Sequence, residues 1–180
     1  MSDFRPLGER VVYEGWAITV TQAEFAGPDG STFERDVIHH PGAVGALPML
    51  DDTTALFVRQ YRTALQTRLL EIPAGIRDVE GEPYEETARR ELIEEIGMAP
   101  GSLELLARVH NAVGYCDEDI HIYLATDLTK VDRELTDSPE EHDMEIVALS
   151  LDEVEAMIAT GEVTDVKTVV AVLAALRRRD

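Results

Sequence analysis

The chain lacks a second cysteine. Cys116 stands alone in 180 residues, which excludes an internal disulfide and leaves a hydrophobic core to hold the fold. Basic residues are scarce as well: 16 lysines and arginines face 36 aspartates and glutamates, a formal net charge of −20. A surface of that sign repels nucleic-acid backbones and anionic membranes, so neither is expected as a partner. An anionic small molecule would have to be met by a local basic pocket. No apolar run reaches the roughly 20 residues that a membrane-spanning helix needs. The opening residues Met1 to Pro6 lack the apolar segment of an export signal, so a cytoplasmic location is expected. Repeats and low-complexity linkers are also missing. At 44% hydrophobic residues, the chain can bury one substantial core and reads most simply as a single domain.

Strands dominate what is present. Alternating or β-rich stretches occur at Arg10–Tyr13, Trp16–Glu24, Thr32–His39, Val44–Leu50, Ala55–Gln60, Arg68–Ile72, Ser102–His110, Asp119–Thr126 and Met144–Leu149. Gly27, Pro28, Asp29 and Gly30 mark the turn of an N-terminal hairpin. Ser150 with Glu153 is a capping-box pattern for a helix ending near Gly161, and Asp165 to Arg178 carries an aliphatic stripe with cations at its negative end. Strands around one central helix, followed by two terminal helices, predict an α+β sandwich.

The central helix spans residues 82 to 98. Pro83 suits a first helical position, Glu85 and Glu86 favour the positive end of the dipole, and Gly97 followed by Pro100 supplies a stop. Ala88, Leu92 and Ile96 form its apolar stripe, which places Glu95 at the stripe's edge with Glu91 beside it. Arg89 and Arg90 sit four residues after Glu85 and Glu86, and Glu94 has Arg90 four before it, whereas Glu91 and Glu95 have no cation at helical spacing. An acidic protein can carry acidic helices simply as solvated faces. Unpaired carboxylates near a core boundary are costly, however, and hard oxygen ligands of this kind suit magnesium or manganese.

The residues around this helix decide between those readings. Gly75, Glu82, Arg90, Glu91, Glu94, Glu95 and Gly97 resemble the Nudix box, the signature of hydrolases acting on nucleoside diphosphates linked to another group. One departure stands out: six residues rather than five separate Gly75 from Glu82. The stretches Arg35–Val44, Val58–Arg62, Leu70–Gly75 and Gly114–Glu118 are similar to the ADP-ribose pyrophosphatase branch of that family, with Ala112-Val113-Gly114 where the branch usually has Ser-Pro-Gly. The resemblance implies a Nudix-type α/β/α sandwich with a mixed sheet, N-terminal antiparallel strands over 9–40, the box at 75–98 and C-terminal helices over 150–180.

It also implies a site. Glu91, Glu94, Glu95 and the Ala74 carbonyl would bind Mg2+, with Mn2+ as the other candidate, and Arg90 would hold the carboxylates in place. Glu82 would assist them or complement the helix dipole. Glu141, with Glu140 behind it, would act as base or water orienter from the loop Asp137–Asp143. Arg62 and Arg35 would grip the diphosphate, because a planar fork suits phosphate, and Glu71 would line the substrate site. Trp16 would pack in an N-terminal strand or stack on adenine, while His39 and His40 lack metal-ligand spacing and read as structural. The activity implied is Mg2+-dependent hydrolysis of ADP-ribose to AMP and ribose 5-phosphate by a homodimer. Another nucleoside diphosphate sugar, a dinucleotide, or a non-catalytic ligand-binding regulator are the alternatives.

Overall fold

A computed structural model of the chain describes residues 3–133 and 142–179. These group into two compact units, Met1–Gly42 with His110–Asp119, and Ala43–Val109 with Ile120–Asp180.

The first unit is built on an antiparallel sheet of β1 (Arg5–Glu14), β2 (Thr19–Ala26) and β3 (Thr32–His39) in that order. The expected hairpin turn joins β2 to β3. Gly27 N–H donates to the Ser31 carbonyl at 2.8 Å, the Asp29 carboxylate takes the Ser31 N–H at 3.0 Å, and Gly30 adopts a left-handed φ of 81°. Trp16 departs from expectation. It lies in the bend between β1 and β2, 89% exposed, and is neither in a strand nor in a core. Residues 110–119 are tied to β3: Ile38 N–H donates to the Tyr115 carbonyl at 2.7 Å, and Asp117 accepts from the His40 N–H at 2.9 Å. His39 sits between Asp117 and Glu9, at 2.7 and 3.0 Å, and both carboxylates raise its pKa.

The second unit carries β4 (Ala43–Pro48), β5 (Thr54–Arg62), β6 (Thr67–Glu71), β7 (Ala74–Ile76), α1 (Tyr84–Ile96), β8 (Met98–Ala99) and β9 (Ser102–His110). After them come β10 (Asp119–Thr126), β11 (Thr129–Lys130), β12 (Glu145–Ser150), α2 (Leu151–Thr160) and α3 (Val166–Leu176). One sheet runs β7-β4-β10-β9, mixed as expected, with β4 parallel to β10 and antiparallel to β7. A second runs β12-β5-β6, and β8 pairs with β11.

Every residue of β4 is buried, which requires cover on both faces. Alternation along the strands sorts the core accordingly. Leu47, Phe57, Ile72 and Ile122 pack with Leu151 and Val154 of α2 and with Ala171, Val172 and Ala175 of α3. Val44, Ala46, Val58 and Tyr123 pack on the other side with Ala88, Leu92 and Ile96 of α1. This is the α/β/α arrangement, with α1 held by three fully or nearly fully buried apolar side chains, the larger ones worth about 1.5–3 kcal/mol each. The capping box forms on α2: Ser150 Oγ accepts from Glu153 N–H at 3.2 Å and the Glu153 carboxylate takes the Ser150 N–H at 2.8 Å.

Candidate active site

The site begins with how α1 is placed. Pro83 caps the helix in an extended conformation with ψ 145°, one position before the first helical residue, Tyr84, and so is not itself the first helical residue that the sequence suggested. Glu85 and Glu86 occupy the first turn, and Gly97 closes the helix in the left-handed region with φ 65°, where a side chain would be strained. The stripe of Ala88, Leu92 and Ile96 faces the core and takes Glu95 with it to 6% exposure.

At that depth Glu95 needs compensation. The Ala74 N–H donates to its Oε2 at 2.9 Å, but burial first and the neighbouring Glu91 second push its pKa up to about 8. Glu91 lies against Gly75. A Cβ at Gly75 would fall 2.0 Å from the Glu91 carboxyl carbon, so a side chain there would have to push the Glu91 carboxylate out of its place. Gly75, Ala74, Glu91 and Glu95 thus meet at one face of α1.

Arg90 organises the carboxylates around it. Its Nη1 donates to Glu91 at 2.9 Å and to Glu94 at 3.1 Å, and its Nη2 to Asp78 at 2.9 Å, with Glu82 at 3.4 Å. Glu91 is therefore not unpaired, which corrects the reading from helical spacing: the long arginine side chain bends to reach its immediate neighbour. Burial opposes the charge of Arg90, but Glu91, Glu82 and Glu94 outweigh it and raise the pKa. For Glu82 too, burial raises the pKa, yet Thr87 and Arg90 bring the net value down. Arg77 braces the preceding loop: its guanidinium lies 4.0 Å over the Tyr84 ring, His121 stacks on Tyr84 at 3.6 Å, and its Nη2 donates to the Glu82 carbonyl.

The donor set fits a hard divalent cation. No three His, Cys, Asp or Glu side chains among the described residues are gathered tightly enough to hold one alone, since Glu91 and Glu94 turn toward Arg90 and Glu95 toward Ala74. A cation would compete with those partners for oxygens that are already adjacent, and it would remove the reason for Glu95 to keep its proton.

A second network adjoins this one. Arg62 binds Glu71 through both arms of its fork, Nε at 2.7 Å and Nη2 at 2.6 Å. Lys167 Nζ contacts the same Glu71 carboxylate and lies 2.9 Å from Asp165. Burial raises the Glu71 pKa, but Arg62 and Lys167 more than offset it and hold the group ionised. Glu71, expected to line the substrate site, is 1% exposed with both oxygens taken by Arg62 and Lys167. Arg62 has Nη1 left, on a side chain 41% exposed. The charges of Lys167 and Arg62 are felt at Glu95, where both lower the pKa.

Arg35 and Trp16 belong to the first unit, where the Arg35 guanidinium lies 4.7 Å over the Phe33 ring and donates to the Glu34 carbonyl. Glu140 and Glu141 lie outside the described residues. Sequence reasoning missed Asp78, Lys167 and Thr168. The signal for Lys167 was available, because a cation in the first turn of a helix opposes the macrodipole and needs a reason to be there.

Comparison with known proteins agrees with this geometry. The NUDIX domain profile matches residues 39–170. The chain is 34% identical to an ADP-ribose pyrophosphatase of Mycobacterium tuberculosis over 96% of its own length and 83% of that protein's. It is 30% identical to an ADP-ribose pyrophosphatase of Bacillus subtilis, covering 93% and 90%. A solved structure of an ADP compounds hydrolase superposes with a TM-score of 0.83 at 22% identity, over 97% of this chain and 93% of the other, and shares its fold.

Proposed function

The chain belongs to the NUDIX domain family, and from that premise we propose that it hydrolyses the pyrophosphate bond of ADP-ribose, using Mg2+, to give AMP and ribose 5-phosphate. The observation that carries the reading is the placement of Glu95, 6% exposed beside Glu91 with the Ala74 N–H on its Oε2, where burial and the Glu91 charge push its pKa up and a cation would compensate it. Bound there, a divalent metal supplies Lewis-acid polarisation of the phosphoryl oxygens. Mn2+ suits the same oxygens.

The protein does the rest. Arg90 keeps Glu91 and Glu94 aimed at one locus through charge-assisted hydrogen bonds. Glu141, or Glu140 in its place, orients the attacking water or takes its proton as the P–O–P bridge opens at phosphorus. Arg62 offers Nη1 to diphosphate oxygens, and the family resemblance supports Arg35 as a further diphosphate contact and Trp16 as a ring for the base. Half-exposed Val11, Val12 and Tyr13 on β1 give a surface for a second copy, and we assign a cytoplasmic homodimer, to be checked by sedimentation equilibrium. A second reading rests on Val113, 79% exposed where a proline is usual in the ADP-ribose branch: another nucleoside diphosphate sugar or a dinucleotide.

A panel of ADP-ribose, other nucleoside diphosphate sugars and dinucleotides with Mg2+, read as phosphate released after phosphatase coupling, tests this. ADP-ribose should give the highest kcat/KM. A better substrate elsewhere in the panel selects the second reading, and no turnover of any member would mean a ligand-binding regulator.

A further inference from the structure

We propose that the N-terminus of α3 is a positioning clasp for the metal-binding segment: Asp165, Lys167 and Thr168 hold Glu71 and Ile72, and through Pro73 they set where Ala74 and Gly75 meet the carboxylates of α1. The inference rests on the divalent-metal reading of that site.

The clasp is specified atom by atom. Asp165 caps α3, its Oδ2 accepting the Thr168 N–H at 3.0 Å and the Thr168 hydroxyl at 2.6 Å, while its Oδ1 lies 2.9 Å from Lys167 Nζ. The Thr168 proton being spent on Asp165, its oxygen is left to accept, and it takes the Ile72 N–H at 2.8 Å. Lys167 Nζ meets Glu71 one residue earlier in the chain. Residues 71 and 72 are thus both fixed from α3, and Pro73, with a locked φ, hands its carbonyl to the Ala46 N–H at 2.9 Å. Immediately beyond stand Ala74, bonded to Glu95, and Gly75, in contact with Glu91. Gly45 on β4 makes the room, because a Cβ there would come within 2.9 Å of Ile72 Cδ1 and 3.7 Å of Lys167 Cδ.

Stability alone does not account for this arrangement. Lys167 is 7% exposed and sits in the first turn of its helix, against the dipole. Buried ion pairs are a weak route to stability, since well-packed apolar replacements often do as well or better. What a buried lysine held between Glu71 and Asp165 and an oriented hydroxyl provide is a single register for the strand they grip. Metal sites depend on that kind of outer support, whose loss typically lowers metal affinity by about 10–100-fold.

Thr168→Val, Lys167→Met and Lys167→Arg in the full chain test the clasp, with Val172→Ala, a core residue of the same helix, as a control for general loosening. Folding is checked by thermal melting in chelator, affinity by titration with Mn2+ alone, and activity by kcat and the half-saturating metal concentration with ADP-ribose. Thr168→Val and Lys167→Met should weaken Mn2+ binding about tenfold or more, with kcat returning to within about threefold of wild type at saturating metal; Lys167→Arg should recover part of the affinity. If Lys167→Met does not fold, Thr168→Val decides. Mn2+ affinity within about twofold of wild type in a folded Thr168→Val, or an equal loss in Val172→Ala, overturns the clasp. The two readings fail separately. A wild type that binds Mn2+ but leaves ADP-ribose intact removes the substrate assignment, and the affinity shifts still judge the clasp; a wild type that binds no Mn2+ overturns both.

Discussion

Replacing Glu95 with glutamine should stabilise the metal-free protein and disable the enzyme. The amide of Glu95→Gln keeps an oxygen for the Ala74 N–H, which donates at 2.9 Å to the glutamate, and the substitution removes only the ionisable charge. With a folded pKa of about 8 against an ordinary 4.5, the native protein holds a proton here that the unfolded chain releases. Stability from this group is therefore fully present below pH 4.5 and is lost as pH rises toward 8. At pH 8 the loss amounts to about 4 kcal/mol, or roughly 10 °C in Tm for a chain of this size. Calorimetric melts in chelator at pH 5 and pH 8 read it out: the variant should match wild type near the lower pH and exceed it clearly at the higher. Excess Mg2+ should then raise the wild-type Tm, by about 2.7 kcal/mol equivalent at a hundred times Kd, and leave the variant nearly unmoved. Turnover of the variant should fall by about two orders of magnitude or more. A variant that melts at or below wild type at pH 8 in chelator would refute the account of Glu95 as an uncompensated buried acid.

Glu141→Gln should lower kcat with little change in KM, as for a group acting in the transition state, and steady-state kinetics would move the assignment to Glu140 if Glu140→Gln alone gave the same loss. Gly75→Ala puts a methyl where the Glu91 carboxylate lies; Mn2+ affinity should drop about tenfold or more, with about 1–3 kcal/mol of destabilisation in a denaturant melt. Arg62→Ala leaves Glu71 with Lys167 alone. It should cost about 2 kcal/mol, less than a fully buried pair because the side chain is 41% exposed, and raise KM more than it lowers kcat; unchanged stability would show that Lys167 suffices.

Much of this was readable beforehand, for physical reasons that differ by element. Long strands such as Thr32–His39 and Ser102–His110 match their predicted bounds because eight or nine β-rich residues are bracketed by turn formers such as Gly30, Pro41, Gly101 and Asn111. The cap of α2 and the stop of α1 are local chemistry, settled within three or four residues. Ala74–Ile76, only three residues long, has no period to show, and it is the strand that carries Gly75 against Glu91. Trp16 was misplaced because a lone aromatic near a strand suggests burial, yet it lies in the bend that precedes β2. The pairing of Glu71 with Lys167 spans 96 residues, a separation over which spacing carries no information. Helical spacing predicted Arg90 with Glu94 correctly and missed Arg90 with Glu91, because ridge geometry counts positions of Cβ atoms and not the reach of a guanidinium.

The net charge of −20 imposes a final constraint on how a diphosphate is received. The cations nearest the site are largely committed: Arg90 serves four carboxylates, and Arg62 and Lys167 share Glu71, which leaves Arg62 its Nη1. These pairs neutralise one another and project little positive field, while the surplus of carboxylates repels an incoming anion until salt screens it beyond about 10 Å. The protein's own side chains are therefore arranged to hold acids in place, which favours a cation and discourages a phosphate. A divalent cation held by Glu91, Glu94 and Glu95 would supply the positive charge that these pairs do not, so capture of the diphosphate should depend on it; calorimetry on the metal-free protein decides, and tight ADP-ribose binding there would refute that dependence.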